Sequence, residues 1–118
     1  MTRDPLVYLA DIKDAIERIQ RSVEGQSFRE FVGDEKGLYA VFMNLAIIGE
    51  ATNNLPAKVK SLAETIPWKK IIGMRNKLIH EYWGYDTETI WETIKISLPE
   101  LRVEVEKLMN RIEPGTSQ

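Results

Sequence analysis

The run Met74-Arg75-Asn76-Lys77-Leu78-Ile79-His80-Glu81-Tyr82 places the only histidine among 118 residues five positions after an arginine and two before a tyrosine. Imidazole takes and gives protons near neutral pH, and guanidinium holds phosphate in a planar fork of donors. A proton shuttle beside an anion clamp points to phosphodiester chemistry. Metal-free cleavage of RNA needs a base for the 2′-hydroxyl and an acid for the leaving 5′-oxygen, and each positioned group contributes about 10²–10⁴-fold. One histidine fills only one of these roles at a time. A two-fold dimer, the commonest kind of oligomer, brings two histidines and two arginines to its axis. Arg75 would then stabilise charge building on the non-bridging oxygens, and Asn76 would orient His80 or a phosphate oxygen.

The helix that must carry these residues poses a geometric problem. Five residues of ideal helix turn about 500°, which leaves Arg75 and His80 roughly 140° apart around the axis. Asn76 and His80, four residues apart, share a face, as do Arg75 and Tyr82 at seven. One site built from all four requires the helix to end or distort near His80, or requires a second copy of the chain. Trp68, Ile71, Ile72, Arg75, Leu78, Ile79 and Tyr82 form one stripe by helical spacing, so Arg75 interrupts an apolar face. A guanidinium stays charged and must find partners there. Either the stripe faces a partner surface or Arg75 pairs with a carboxylate from a neighbouring helix. Glu50 is the candidate, with Gly49 and Ala51 beside it to let two helices approach closely.

Composition bounds the rest. A chain of 118 residues and 13.6 kDa suits one domain with a single core. No apolar run approaches the roughly 20 residues of a membrane span, and the N-terminus lacks the layout of a secretory signal. Cysteine is absent, which removes disulfides, thiolate metal sites and thiol catalysis. One histidine and scattered acids offer no metal-ligand cluster. A cytoplasmic protein without cofactor is the expectation. The net charge of −2 speaks against a broad nucleic-acid-coating surface. Yet the four cations Lys69, Lys70, Arg75 and Lys77 lie between Ile66 and His80 with no acid among them, a local patch able to attract a phosphate chain.

The pattern is helical almost throughout. Asp4-Pro5 reads as a cap followed by proline at the first helical position. Leu6, Leu9, Ile12, Ala15, Ile16 and Ile19 then predict a first helix to about Val23, ended by Gly25. A short helical turn is expected between Ser27 and Gly33. A second long helix starts near Asp34 and carries Leu38, Val41, Phe42, Leu45, Ile48 and Ala51. Pro56 to Ala63 reads as another short helix, and a segment opening at Ile66-Pro67-Trp68 runs through the motif to Trp83. Asp86 or Thr87 starts a last helix reaching about Ile112, with a kink expected at Pro99. The fold expected is all-α: an up-and-down bundle of four principal helices with short extra helices. The domain spans 4–112, and 113–118 is a flexible tail.

These residues resemble the HepT-like toxins of the HEPN superfamily, small helical proteins encoded beside a minimal nucleotidyltransferase. The resemblance covers about Asp4 to Ile112. Its strongest part is Ile66-Pro67-Trp68 followed by Gly73-Met74-Arg75-Asn76, His80-Glu81-Tyr82 and Asp86, with Ile48-Gly49-Glu50-Ala51 and Leu98-Pro99-Glu100-Leu101 in support. It implies a HEPN-like helical bundle that dimerises with its motifs facing across a cleft. It also implies metal-independent endoribonuclease activity assigned to Arg75 and His80, with Asn76 as the polar residue following the arginine. Tyr82 matches the tyrosine that the partner nucleotidyltransferase antitoxin modifies with adenylyl groups. The implied partners are a second copy of the chain, that antitoxin and an RNA substrate, with no membrane.

Each residue also has a plainer reading. A lone histidine on a helix is usually a surface or hydrogen-bonded residue, a tyrosine is more often a core aromatic, and Glu50 is more naturally a structural partner of Arg75 than a base. Trp68, Trp83 and Trp91 read as packing residues, although Trp83 and Tyr85 offer stacking surfaces to bases. Three functions follow in order: a ribonuclease toxin, a non-catalytic helical module that docks a nucleotidyltransferase or its substrate, and a dimeric bundle whose motif stabilises an interface.

Overall fold

Asp4 begins the first helix as its sequence predicts. Its Oδ1 accepts the Leu6 N–H at 2.9 Å, Pro5 fills the first helical position, and α1 runs Pro5–Ser22. In the computed structural model, residues 4–80 and 86–112 are described, and the side chains of Ile79 and His80 lie outside that description. The three- and four-residue steps of α1 bury Leu9, Ile12, Ala15, Ile16 and Ile19 completely. Gly25 then reverses the chain at φ 78°, a left-handed conformation that only glycine takes without steric cost.

The second helix, α2 (Phe28–Gly33), owes its existence to a reciprocal cap. Ser27 Oγ accepts the Glu30 N–H at 3.1 Å, and Glu30 Oε1 accepts the Ser27 N–H at 2.9 Å. Two orphan donors are satisfied by one Ser-x-x-Glu pattern. The long helix α3 (Glu35–Asn54) starts on Asp34, whose two oxygens accept the Gly37 N–H and the Gln26 Nε2 amide, each at 3.0 Å. The Gly37 bond first, and the Gln26 bond second, hold the Asp34 carboxyl below its ordinary value. A carboxylate with a lowered folded value stabilises the fold above its unfolded value of about 4. That contribution is lost as pH falls through the lower folded value. Asp34→Ala is therefore expected to lower Tm at neutral pH, and its deficit against the native chain should shrink below about pH 4. Thermal melts across pH 3–7 check this, and a deficit independent of pH would contradict it.

A short helix α4 (Ala57–Lys60) passes into a 3-10 turn, Ser61–Ala63, and α5 covers Trp68–His80. The Trp68 indole N–H donates to the carbonyls of both Lys60 and Ala63 at 3.1 Å, fastening the start of α5 to the end of the preceding turn. Beyond Asp86, whose carboxylate caps through the Glu88 N–H, α6 (Thr87–Glu92) leads through a π-helical stretch, Thr93–Ser97, into α7 (Leu98–Ile112). The kink expected at Pro99 is thus a widened turn just ahead of it. Proline has no N–H for the Lys95 carbonyl and its ring crowds that group. The Leu98 N–H instead donates to Thr93, five residues back, and the rod continues.

Helix α1 packs against both α3 and α7, and α3 packs in turn against α5. The core they share is almost wholly apolar, with Phe31, Leu45, Ile48, Ile90 and Leu108 at its centre. Trp91 closes one end against Phe28 and Phe31, at ring-centre distances of 6.0 and 5.0 Å. Two polar side chains, Asn44 and Thr52, are buried among the described residues, and the first joins α1 to α3: Arg18 Nε donates to Asn44 Oδ1, and Asn44 Nδ2 donates to the Ala40 carbonyl, both at 2.8 Å. Both polar atoms of buried Asn44 are thereby hydrogen-bonded. No strand occurs among the described residues, and the chain is all-α, as its periodicity predicts. Among them no helix is long and apolar enough to cross a membrane.

Candidate active site

Arg75 projects from the middle of α5 where that helix crosses α3. Trp68, Ile71 and Leu78 bury the same side of α5, so the stem of Arg75 is drawn against α3 by the apolar residues around it. What it meets there is Gly49. A Cβ built on Gly49 would lie 2.1 Å from Arg75 Cβ and 2.7 Å from Cγ. The missing side chain makes room for the arginine stem, and the two helix backbones approach accordingly.

The guanidinium then emerges from the interface. Arg75 Nη2 meets Glu50 Oε1 at 2.6 Å, and Nη1 donates to Asn76 Oδ1 at 2.8 Å. The Arg75 side chain is 25% exposed and that of Glu50 53%. Two of the five guanidinium N–H groups are thus committed, one on each terminal nitrogen. A charge-assisted bond of this length is geometrically strong. Its contribution to stability in such an exposed setting is small, at most about 1 kcal/mol. Its consequence is orientation: the head group is held from both sides while part of its surface faces solvent.

Of the two arrangements expected for Arg75, the pairing with the neighbouring carboxylate is present. Asn76 holds Arg75 through its oxygen, which accepts from Nη1 of the adjacent guanidinium. Its amide nitrogen takes no part in that bond. The contact also narrows the angular gap expected on an ideal helix. Arg75 Cα faces α3, but its head group reaches Asn76, one turn before position 80 on the same face. His80 is the last described residue of α5. Its side chain, together with Tyr82, Trp83, Tyr85 and the tail from 113 to 118, lies outside the described residues. Glu50, Arg75 and Asn76 are brought together.

Sequence reasoning missed two supports of this arrangement. The indole bonds of Trp68 locate the first turn of α5, and the Asn44–Arg18 pair locates α3 against α1. A buried asparagine spaced among apolar residues on α3 was the available signal for the second. Among the described residues, no group of three or more histidine and acidic side chains is placed to hold a metal ion.

Comparison with known proteins agrees with this framework. A family model described as "Ribonuclease HepT-like" matches residues 12–108. The chain is 43% identical over 108 residues to a "Probable ribonuclease HepT" of Thermococcus cleftensis, covering 92% of this chain and 98% of that protein. Two proteins named "Putative RNase" are similar as well. One, from Methanocaldococcus jannaschii, is 38% identical over 111 residues, covering 94% of this chain and 92% of its own. The other, from Caldanaerobacter subterraneus, is 41% identical over 109 residues, covering 92% and 97%. No solved structure matches. The matched span takes in α3 and α5 with every residue of the Glu50–Arg75–Asn76 cluster, and from this similarity we conclude that the chain belongs to the ribonuclease HepT-like family.

Proposed function

We propose that this protein is a metal-independent endoribonuclease that works as a two-fold homodimer. The observation that supports it best is the Arg75 head group, held by Glu50 and Asn76 on the helix that carries His80. In the reaction, one imidazole removes the proton of a 2′-hydroxyl, whose oxygen attacks the adjacent phosphorus. The P–O5′ bond breaks, and the second imidazole, from the other copy, protonates the leaving oxygen. The products are a 2′,3′-cyclic phosphate and a 5′-hydroxyl. Arg75 stabilises the negative charge that gathers on the non-bridging oxygens, and Glu50 keeps its guanidinium from swinging away.

The same reading makes the protein the toxin of a toxin–antitoxin pair, neutralised by a nucleotidyltransferase that adenylylates Tyr82. The modification places a phosphodiester anion and a bulky nucleoside two residues from His80. That phosphate pairs with Arg75 and excludes RNA from the same guanidinium.

The test is cleavage of single-stranded RNA by purified protein in excess chelator. Cyclic-phosphate ends are expected at an undiminished rate, and loss of activity on chelation would remove the metal-free mechanism. For the antitoxin, the expected result is that Tyr82→Phe cleaves RNA but escapes covalent neutralisation by the nucleotidyltransferase. Full protection of the phenylalanine variant by adenylyl transfer would sink that part of the reading.

A second reading draws on the Arg75–Glu50 pair itself. An arginine already balanced by a carboxylate also serves as a structural clamp between α3 and α5. The chain would then be a non-catalytic module that docks a nucleotidyltransferase or its substrate. Undetectable cleavage by a well-folded protein that still binds RNA would favour it.

A further inference from the structure

Helix α3 is apolar on two sides. One side enters the core, and the opposite side stays at the surface. Met43 is 65% exposed there, the most of any large hydrophobic side chain among the described residues. Tyr39, one turn earlier, is 54% exposed even with the interaction it already has. Ile47, one turn later, packs partly on the core, and Lys36 and Glu50 are exposed at the two ends of the line. These five positions fall within an arc of about 80° and a length of about 21 Å. The outer side of a surface helix is normally polar, and contiguous exposed apolar side chains mark interaction sites.

The order of residues along this line identifies the occupant. Tyr39 and Ile47 each stand four residues from Met43, and Lys36 and Glu50 each stand seven. Turned end over end about Met43, the line sets large apolar groups on each other and a cation on an anion. A two-fold interface requires this self-complementarity, since one patch must accept its own copy. Glu50 has capacity for a second cation. Arg75 takes its Oε1, while Oε2 meets the Asn54 amide at 3.4 Å, a long bond that leaves lone pairs available.

The same axis passes level with the end of α5. Gln26 meets Asp34 and Arg18 meets Asn44, so α3 runs back along α1. Arg102 meets Glu17 and Gln20, while Lys95 lines a cleft with Gly25, so α7 runs back along α1 as well. Arg111, in the last turn of α7, donates to the Leu62 carbonyl. That contact puts the turn before α5 at the end where α3 finishes, and α5 therefore runs opposite to α3. Arg75 lies against Gly49. Five residues further along α5, the backbone at position 80 has come about 7.5 Å back, to the level of Asn44 and beside Met43. Two copies related about Met43 bring their positions 80 to one level, as a shared scissile phosphate requires.

We propose that a second copy of this chain lies antiparallel on this face of α3, with Met43 at the two-fold axis, Tyr39 against the partner's Ile47 and Lys36 against the partner's Glu50. This deepens the ribonuclease reading and rests on its homodimer. Each copy's Lys36 closes on the carboxylate that orients the other's Arg75, so assembly also completes the support of the guanidinium.

The chain has no cysteine, so Met43→Cys carries one thiol, which the axis sets facing its own mate. Mild oxidation should yield a covalent dimer, and Ile96→Cys, 57% exposed on another helix, should yield far less. Met43→Glu stacks two like charges at the axis and should weaken the dimer at least about 10²-fold in sedimentation. Circular dichroism and Tm should show an intact fold, because the side chain replaced is mostly in water. Lys36→Glu, which turns two exposed pairs repulsive, should weaken the dimer about 10-fold. RNA cleavage by Met43→Glu should fall with the dimer and recover as protein concentration is raised. A native chain that sediments as a monomer would overturn the proposal. So would a dimer that Met43→Glu leaves intact, or cross-linking at 43 no greater than at 96. A Met43→Glu chain that still pairs but no longer binds a 2′-O-methyl RNA oligonucleotide would also overturn it, by assigning the face to RNA. A native chain that pairs through Met43 yet fails to cleave RNA in chelator supports the interface and counts against the ribonuclease reading. A native chain that cleaves in chelator while Met43→Glu pairs normally counts against the interface alone.

Discussion

His80→Ala is expected to lower RNA cleavage by about 10²–10⁴-fold, the usual worth of one positioned proton-transfer group. In a dimer both copies carry the substitution, so acid and base are lost together and the upper end of that range applies. Arg75→Ala should cost a similar factor by a different route. Removing one preorganised stabiliser of developing charge costs about 10²–10³-fold in related chemistry. Neither change should unfold the protein, because the Arg75–Glu50 pair is exposed and contributes little to stability. Single-turnover rates on a defined oligonucleotide, with circular dichroism to confirm the fold, make the comparison. Cleavage by His80→Ala at the native rate would remove His80 from the mechanism and the two-histidine scheme with it. A mixed dimer of His80→Ala and Arg75→Ala chains is informative as well. Activity above that of either parent would mean that each subunit supplies what the other lacks.

Gly49→Val should have the largest effect on stability. The atoms a side chain would strike are Arg75 Cβ at 2.1 Å, Cγ at 2.7 Å and Cα at 3.3 Å. These belong to the base of the arginine and its backbone, so no flexible end can swing aside and α3 and α5 must separate. Overpacking of this kind costs up to about 3 kcal/mol. For a domain of this size that is a fall in Tm of about 10 °C. Because the separated helices carry Glu50 and Arg75, cleavage should decline further than the loss of folded protein explains. A displacement of about 1 Å at a positioning contact is enough for a 10²-fold loss. A Tm within about 2 °C of the native value would show that the helices do not depend on this approach.

How far the site was legible before the fold depended on the kind of residue. The stripe of α1 was plain because five fully buried side chains repeat at helical spacing. The cap at Asp4, and helix starts near Asp34 and at Asp86 or Thr87, were legible because a short oxygen-bearing side chain beside a helix start marks it. The pairing of Glu50 with Arg75 was legible for a different reason, since a charge within an apolar stripe demands a partner and few carboxylates were placed to serve. Pro99 was seen as a disturbance, but its form was not. A missing N–H says that one carbonyl loses its donor, while the π turn at Thr93–Ser97 depends on how the rest of the rod packs.

Local spacing and side-chain chemistry alone determined that the chain is helical, where its helices start, and which residues are equipped to hold phosphate and move protons. Those properties are written within a few neighbouring positions, so they survive without a third dimension. Only the tertiary structure decided that Gly49 yields its space to Arg75 and that Asn76 grips the guanidinium. Each of these depends on how closely two helices pack, and that distance is set by the whole core at once.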